Sequence, residues 1–202
     1  MPSIGFIKQW IMPVLLTLVT CLMFALQDAL LVPLQFDRAM IAQGELWRLF
    51  TGNLFHTNSW HLLFNLLGLL MLSQLFGRLI KPLHFALFTL LNGSAVGVLL
   101  YLFCPEIELY VGLSGYLHGL FVLGCLLEIH QGRQSSYLLL AGVAIKVGWE
   151  TYYGSSEQMT VLINATVATD AHLFGALAAL PLFVCYCLLN KREGLTKQDN
   201  II

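Results

Sequence analysis

Residues 83–104 read LHFALFTLLNGSAVGVLLYLFC, a run without a single Asp, Glu, Lys or Arg. A helix needs about 20 mainly apolar residues to cross the hydrocarbon core of a bilayer, and this run is long enough. The rest of the chain has the same character: 58% of its 202 residues are hydrophobic and only 10% are charged, with a mean hydropathy of +0.78. Soluble domains carry about 25% charged residues. The sequence therefore predicts an all-α integral membrane protein.

Other apolar segments lie on both sides of that run, separated by short polar or proline-containing breaks. The six predicted spans are residues 10–31, 58–77, 83–104, 113–130, 135–153 and 170–190. Because no internal repeat interrupts them, we interpret residues 1–202 as a single domain. The net charge of −1 argues against a nucleic-acid partner. The 5 cysteines form no CxxC pair, so we expect neither a disulfide nor a metal framework.

Lysine and arginine are unevenly distributed between the breaks, with most on the side of the two termini. The positive-inside rule then predicts that both termini are cytoplasmic and that the second, fourth and sixth spans start at the outer face. The residues on the predicted inner side are Lys8, Arg78, Lys81, Arg133, Lys191, Arg192 and Lys197, and those on the outer side are Arg38 and Arg48.

Three polar motifs stand at the starts of these inward-running spans. Residues 56–65 read HTNSWHLLFN, residues 112–119 read GLSGYLHG, and residues 170–175 read DAHLFG. Ionisable groups at membrane depth are costly and usually mark function, and three motifs at one depth point to one site.

Small residues repeat at intervals of four in two of these motifs, as Gly115 and Gly119 and as Ala171 and Gly175. This spacing lets helix backbones approach closely. If the two faces meet, Ser114 and His172 come together. A serine beside a histidine is the minimum for an activated hydroxyl nucleophile, so Ser114 is the candidate nucleophile and His172 its base.

The start of the fourth span also supplies backbone N–H groups and a positive dipole end, which suit a developing oxyanion. His61 and Asn65 are one turn apart on one helical face. They are candidate side-chain donors to the same oxyanion.

These motifs together resemble the rhomboid intramembrane serine proteases, over about residues 8–190. The matching residues are Trp47-Arg48, His56-x4-His61-x3-Asn65, Gly112-Leu113-Ser114-Gly115 and Ala171-His172-x2-Gly175. The resemblance implies a six-helix rhomboid-like bundle and a Ser–His dyad without a catalytic aspartate.

The resemblance further implies an oxyanion hole formed by His61, Asn65 and the backbone of Ser114 and Leu113. The other matching residues would support the site: Trp47, Arg48, His56, Gly112, Gly115 and Gly175. Trp47 and Arg48 match the family's loop that lies partly in the outer leaflet. We expect no cofactor and no metal.

One residue departs from the pattern of most rhomboids and indicates a particular branch of the family. Many rhomboids carry an aromatic residue four positions after the serine, where this chain has His118. That pattern, with the short length, is similar to rhombosortases. It implies transmembrane substrates with a C-terminal tail containing Gly-Gly, cleaved at the inner membrane of a Gram-negative bacterium by a site open to the periplasm.

Several residues allow more than one interpretation. His118 shares a face with Ser114 and could be the base, although its place suggests that it packs on His172 and orients it. A zinc site of His61, His118 and His172 lacks the usual carboxylate base. Asp170, just ahead of the sixth span, is interpreted as its N-cap rather than a third catalytic residue.

Lys146 and Glu150 lie one turn apart inside the fifth span. A mutually neutralised pair is the simpler interpretation, and an influence of Glu150 on substrate access is the alternative.

Two other functions compete with proteolysis. One is an inactive rhomboid-like protein that binds membrane helices, against which the intact Ser114 and His172 argue. The other is a small transporter that uses histidines as proton carriers, against which the lack of an inverted repeat argues. Whether water or another amine resolves the acyl-enzyme is left open by the sequence.

Overall fold

The structure, a computed structural model, describes the backbone of residues 4–199 and the side chains of residues 8–189. This part of the chain is mostly helical. The helices are α1 (Ile4–Ala25), α2 (Gln27–Leu34), α3 (Arg38–Ala42), α4 (Arg48–Thr51), α5 (Ser59–Phe76), α6 (Pro82–Phe103), α7 (Ser114–His130), α8 (Ser135–Tyr153), α9 (Glu157–Ile163) and α10 (Thr169–Asp199). Short 3₁₀ turns follow α4 and α5, at Gly52–Leu54 and Gly77–Leu79.

Four helices in the described part are long and apolar enough to cross a membrane. They supply the segments Lys8–Ala25, Ser59–Leu79, Pro82–Phe103 and Thr169–Leu189. The other two long helices fall short of that standard, since α7 has only 17 residues and α8 carries Lys146 and Glu150. The all-α membrane character is thus supported, whereas six crossings stay a prediction.

From the second span onward, each observed helix begins within one residue of its predicted start. The first predicted span, residues 10–31, is wrong in its bounds. There α1 ends at Ala25 and α2 begins at Gln27, because the Ala29 N–H donates three residues back to the Leu26 carbonyl. The break places the polar Gln27 and Asp28 in a new first turn, where a carboxylate is stabilised by the helix dipole.

The predicted cytoplasmic placement of the termini is not tested by the described residues. Lys191, Arg192 and Lys197 belong to the part of α10 whose side chains lie outside the description. The orientation therefore stays a prediction.

The long connection between α2 and α5 contains α3, α4 and a strand, none of which the sequence predicted. Strand β1 (Phe36–Asp37) pairs antiparallel with β2 (Leu109–Tyr110), with Phe36 opposite Tyr110. Arg48, which is buried, donates to the carbonyls of Val32 and Gln35 at 2.7 and 2.9 Å. Its charge is matched by Glu45 at 2.6 Å. These bonds fix the connection to the end of α2.

Trp47 lies beside that buried arginine and is about half exposed, with its indole N–H donating to the Pro33 carbonyl at 3.2 Å. An amphipathic indole with one hydrogen bond and an exposed face suits a membrane interface. Placement of this loop in the outer leaflet stays a prediction.

Helix α7 occupies the centre of the bundle, in contact with α5, α6, α8 and α10, and its buried residues run along its whole length. Its approach to α10 is the closest backbone contact near the site. A Cβ on Gly175 would overlap the Gly115 carbonyl oxygen, and a Cβ on Gly115 would lie 2.8 Å from the Ala171 carbonyl oxygen. Gly115 therefore meets Ala171 and Gly175 of α10 as predicted, whereas Gly119 lies against Asn92 of α6.

Asn92 of α6 completes this junction. It is fully buried and donates its side-chain N–H to the Gly175 carbonyl at 3.0 Å, while its amide lies against Gly119 of α7. A buried hydrogen bond of this kind is costly to remove because its partner would be left unsatisfied. Three helices are thereby held in one register where α7 and α10 begin.

Candidate active site

Ser114 and His172 face each other across the α7–α10 contact. Ser114 is the first residue of α7, and His172 lies in the first turn of α10. Their side chains are joined by a hydrogen bond of 2.9 Å between Ser114 Oγ and His172 Nε2. A serine hydroxyl that can pass its proton to an imidazole at this distance is equipped for nucleophilic attack.

The segment before Ser114 is held by two hydrogen bonds at Gly112. Gly112 has φ +132°, a conformation that L side chains rarely adopt. Its N–H donates to the Gly52 carbonyl at 3.3 Å, and its own carbonyl accepts from the Tyr110 hydroxyl at 2.7 Å. The turn into α7 is therefore fixed from both sides, which sets the position of Ser114.

His61 lies directly over this turn, since a Cβ on Gly112 would come within 2.9 Å of His61 Nε2. The other ring nitrogen, Nδ1, is 3.1 Å from the Thr57 hydroxyl and 3.4 Å from the Thr57 backbone nitrogen. Asn58 caps α5 by accepting from the His61 backbone N–H at 2.9 Å. The cap and Thr57 hold His61 with its Nε2 edge toward the serine loop.

Asn65 lies one turn further along α5, where it is buried and borders the same cavity as Ser114. One of its amide hydrogens is used on the His61 carbonyl at 3.0 Å. An asparagine amide has two donors, so the second remains for another acceptor. The first N–H groups of α7, beginning at Ser114 after the buried Leu113, have no partner within the helix. Three of the four residues predicted for an oxyanion hole, His61, Asn65 and Ser114, therefore line one cavity, and the buried Leu113 directly precedes Ser114.

His118 stacks on His172, with ring centroids 4.1 Å apart and an angle of 20° between the planes. Its Nδ1 lies 2.8 Å from the Ser114 carbonyl oxygen, and its Nε2 lies 2.9 Å from Lys146 Nζ. Both ring nitrogens thus have partners other than the Ser114 hydroxyl. This placement favours the supporting role over the alternative in which His118 is the base.

Glu150 of α8 reaches the far side of His172, an arrangement that the sequence did not predict. Its Oε2 lies 2.9 Å from His172 Nδ1 and 2.7 Å from Lys146 Nζ. The signal available in the sequence was a Lys–Glu pair on an apolar helix, where unpaired charge is costly. That signal indicates that the pair has a structural or functional role. It does not reveal that His172 lies within hydrogen-bonding distance of Glu150.

Asp170 does not take the position expected for a helix cap. Helix α10 begins at Thr169, so Asp170 lies inside its first turn. A carboxylate there is still stabilised by the helix dipole. Its nearest ionisable groups include Cys104 and Glu106, and the acid that contacts His172 is Glu150.

His56 is buried on the outer side of His61, with ring centroids 5.0 Å apart in an edge-to-face arrangement. Neither of its ring nitrogens has a hydrogen-bond partner among the described residues. Burial, and secondly the neighbouring His61, lower the pKa of His56 from 6.5 to about 3. His56 is therefore a neutral packing residue at ordinary pH, and hydrogen bonds within the described part of the chain do not explain its place beside the site.

The zinc trio considered from the sequence is grouped differently in the described residues. His118 and His172 cluster with Glu150 rather than with His61. Lys146 Nζ already contacts both His118 Nε2 and Glu150 Oε2, so an ammonium group lies against two of the atoms that a metal would use.

A cavity of about 600 Å³ opens beside Ser114, bounded by α5, α7 and α8. Its walls are mostly apolar, and its polar groups gather at the end that holds Ser114, His172 and His61. Helix α9 lies at that end, where Thr57 donates to the Ile163 carbonyl at 2.5 Å and Asn58 to the Leu162 carbonyl at 2.9 Å. An apolar channel that ends at a few polar groups is the usual form of a binding site.

The site can be compared with known proteins. The family model of the rhomboid domain matches residues 43–189, which include every group described above. The chain is also similar to the "Putative rhomboid protease YdcA" of Bacillus subtilis (strain 168). The two are 27% identical over 150 residues, which cover 72% of this chain and 70% of that protein.

Proposed function

This chain belongs to the rhomboid family, and we propose that it is an intramembrane serine endopeptidase in which Ser114 is the nucleophile and His172 the general base. The observation that carries the proposal is the 2.9 Å hydrogen bond between Ser114 Oγ and His172 Nε2, made inside a bundle of apolar helices. Outside a catalytic site, a serine in a membrane helix commonly serves close packing. Here Gly115 makes that close contact and leaves the Ser114 hydroxyl to His172.

The chemistry is acyl transfer. Ser114 Oγ attacks the scissile carbonyl carbon while its proton passes to His172 Nε2. The tetrahedral oxyanion is stabilised by the backbone N–H groups of Leu113 and of Ser114 at the start of α7, and by side-chain donors from α5. His172 then protonates the leaving amine, and the acyl-enzyme is resolved by water or by another amine.

His61 and Asn65 are the side-chain donors. His61 Nε2 faces Gly112, and it carries the proton in the tautomer in which Nδ1 accepts from the Thr57 N–H rather than donating to the Thr57 hydroxyl. Asn65 contributes the amide hydrogen that is not used on the His61 carbonyl. Removing one such donor from an oxyanion hole costs a factor of about 10²–10³ in kcat.

The proposed substrate is a transmembrane protein with a C-terminal tail that contains Gly-Gly. The support is the sequence pattern around His118, which resembles that of the rhombosortases. Glycine lowers helix stability by about 1 kcal/mol relative to alanine, so two glycines expose the backbone of a substrate helix at low cost. The apolar cavity between α5 and α8 is a route by which such a helix reaches Ser114 from the bilayer.

The proposed location is the inner membrane of a Gram-negative bacterium, with both termini in the cytoplasm and the site open to the periplasm. The inner-membrane assignment is supported by the resemblance to rhombosortases, and the orientation by the distribution of lysine and arginine along the sequence. A test is cysteine accessibility in intact cells: Ser155→Cys, near the site end, should react with an impermeant maleimide. Reaction only in inverted vesicles would contradict this orientation.

The activity is tested by co-expressing the chain with a substrate that carries a Gly-Gly tail. Wild type should release the tail, whereas Ser114→Ala and His172→Ala should not. Ser135→Ala is the matched control, because Ser135 is exposed at the start of α8 and lies outside the cavity. Partial activity is expected for His118→Ala.

Each result decides a different part of the proposal. If Ser114→Ala still cleaves, the protein is not a serine protease that uses Ser114. If His118→Ala is inactive and His172→Ala is active, the base is His118 rather than His172. If wild type cuts a transmembrane substrate without Gly-Gly and ignores the Gly-Gly tail, the protease stands and the tail specificity falls. Stable binding of substrate without cleavage by wild type would instead support the inactive helix-binding protein.

A further inference from the structure

The carboxylate of Glu150 lies within hydrogen-bonding distance of His172 Nδ1 and so affects which ring nitrogen of His172 carries the proton. A neutral imidazole has one nitrogen that donates and one that accepts. A carboxylate 2.9 Å from His172 Nδ1 requires the proton on Nδ1. Nε2 is then the accepting nitrogen, which is the form that takes the proton of the Ser114 hydroxyl at 2.9 Å.

The neighbouring bonds fix the second histidine by the same logic. A lysine ammonium only donates, so His118 Nε2 accepts from Lys146 Nζ at 2.9 Å. His118 Nδ1 then carries the proton and donates to the Ser114 carbonyl at 2.8 Å. Lys146 also donates to Glu150 Oε2 at 2.7 Å.

These bonds close a ring that begins and ends at Ser114. It runs from the Ser114 carbonyl through His118, Lys146, Glu150 and His172 back to the Ser114 hydroxyl. Every donor in the ring meets an acceptor, with both imidazoles neutral. A chance ion pair between Lys146 and Glu150, one turn apart on α8, would not require donors and acceptors to match those of two histidines on other helices.

We propose that Glu150 is the positioning residue of the active site: it holds His172 in the accepting tautomer and stabilises the imidazolium that forms when Ser114 attacks. This inference rests on the proposed function. A base oriented by a third group is the general form of an activated serine. In this protein the third group is Glu150, a glutamate of α8.

Lys146 and His118 hold this carboxylate in place. The side chain of Glu150 is 19% exposed, and burying an unpaired carboxylate among apolar helices is costly. Lys146, 48% exposed, neutralises that charge from the open side of the cavity. The stacked His118 fills the space beside the His172 ring and gives Lys146 its second acceptor.

The test uses the full chain in detergent or liposomes with a transmembrane substrate that wild type cleaves. Glu150→Ala should lower kcat by about 10²–10⁴-fold, the range typical of acid–base catalysis, with little change in KM. Glu150→Asp and Glu150→Gln keep an acceptor for His172 Nδ1 and should recover part of that loss. Labelling of Ser114 by a fluorophosphonate should be fastest in wild type, slower in Glu150→Asp and Glu150→Gln, and slowest in Glu150→Ala.

Two controls separate positioning from folding. Glu157→Gln removes an exposed acid of α9 and should leave kcat unchanged. The double variant Lys146→Met with Glu150→Gln removes both charges together, so no unpaired charge is buried and the thermal midpoint should stay close to wild type. Its kcat should still fall.

The outcomes distinguish the two proposals. If Ser114→Ala is inactive and Glu150→Ala keeps the wild-type kcat, Glu150 has no positioning role and the protease stands. If Ser114→Ala still cleaves, the proposed function fails. If a zinc chelator abolishes cleavage and added zinc restores it, the cluster of His118, Glu150 and His172 is a metal site and the positioning role is overturned.

Discussion

The two sides of α7 are built in opposite ways. Toward α10, backbone lies against backbone at Gly115 and Gly175, and a buried Asn92 joins the third helix. Toward the space between α5 and α8, a cavity of about 600 Å³ lies beside the start of α7, and a Cβ at Gly142 of α8 would meet no neighbouring atom within 4 Å. Further along the helix, Gly124 of α7 packs against Phe76 of α5. One side of the central helix has no spare space, and the other has room for a ligand.

This difference separates two demands of a protease within a bilayer. A nucleophile and its base must keep their separation to a fraction of an ångström, and close-packed helices provide that constancy. A substrate helix needs a path to them, and loosely packed helices provide it. Ser114 lies on the helix that both sides share, so it is fixed from one side and reached from the other.

The largest effect is expected from filling the closed side. In Gly175→Ala the new methyl group overlaps the Gly115 carbonyl, so α7 and α10 must separate and Ser114 must move away from His172. Overpacking of this kind costs about 1–3 kcal/mol of stability. A displacement of about 1 Å at the reacting groups is enough for a loss of roughly 100-fold in cleavage.

Gly148→Ala is the matched control, because that glycine lies in open space on α8. Thermal midpoints and cleavage rates of the two variants test the contrast. If Gly175→Ala cleaves substrate at the wild-type rate, the close contact between α7 and α10 does not set the geometry of Ser114 and His172.

A smaller effect is expected from filling the open side. Gly142→Leu places a side chain in the cavity, and its Cβ would meet no neighbouring atom within 4 Å. We expect KM for a transmembrane substrate to rise roughly tenfold, equivalent to about 1.4 kcal/mol of binding. Labelling of Ser114 by a small fluorophosphonate should be unchanged, since the reagent needs less room.

Gly148→Leu, outside the cavity, again serves as the control. An unchanged KM in Gly142→Leu would mean that substrate reaches Ser114 by another path, such as the second cavity beside His56 and Thr57.

The smallest effect on cleavage is expected at His56, which packs beside the site without a hydrogen bond to it, and the test there is of stability. The folded protein resists protonating His56 until about pH 3, whereas the unfolded chain takes the proton near its usual pKa of 6.5. More protons are then bound by the unfolded state between these values, so stability falls as the pH is lowered through this window. His56→Phe should reduce that slope by at most about 1.4 kcal/mol per pH unit.

Thermal midpoints measured between about pH 7 and about pH 4 test this dependence. An equal slope in wild type and His56→Phe would show that His56 is not kept neutral by burial.

Much of this arrangement was predictable from local sequence. Apolar runs located five of the long helices to within a residue of their starts, because hydropathy and the Gly and Pro breaks are local signals. The small residues at Gly115 and Gly175 predicted which faces meet. The break at Leu26 was missed because Gln27 and Asp28 interrupt an apolar run too briefly to reveal a change of helix.

The polar connections were harder to predict than the spans. Residues 154–169 were taken as a polar stretch, yet they contain α9, capped by the Ser156 hydroxyl, which accepts from the Met159 N–H at 3.3 Å. A helix of 7 residues leaves too short a pattern for periodicity to detect. Contacts with Thr57 and Asn58 help to hold it in place.

What the sequence determined by itself is the set of groups and their depth: apolar helices, a serine and a histidine at the starts of two of them, and small residues beside both. What only the tertiary structure decided is the third partner. Asp170 is next but one to His172 in the chain, yet Glu150, 22 residues away, holds its Nδ1. Sequence spacing reports neighbours on one helix, whereas the approach of α8 to α10 depends on how all the helices pack around α7.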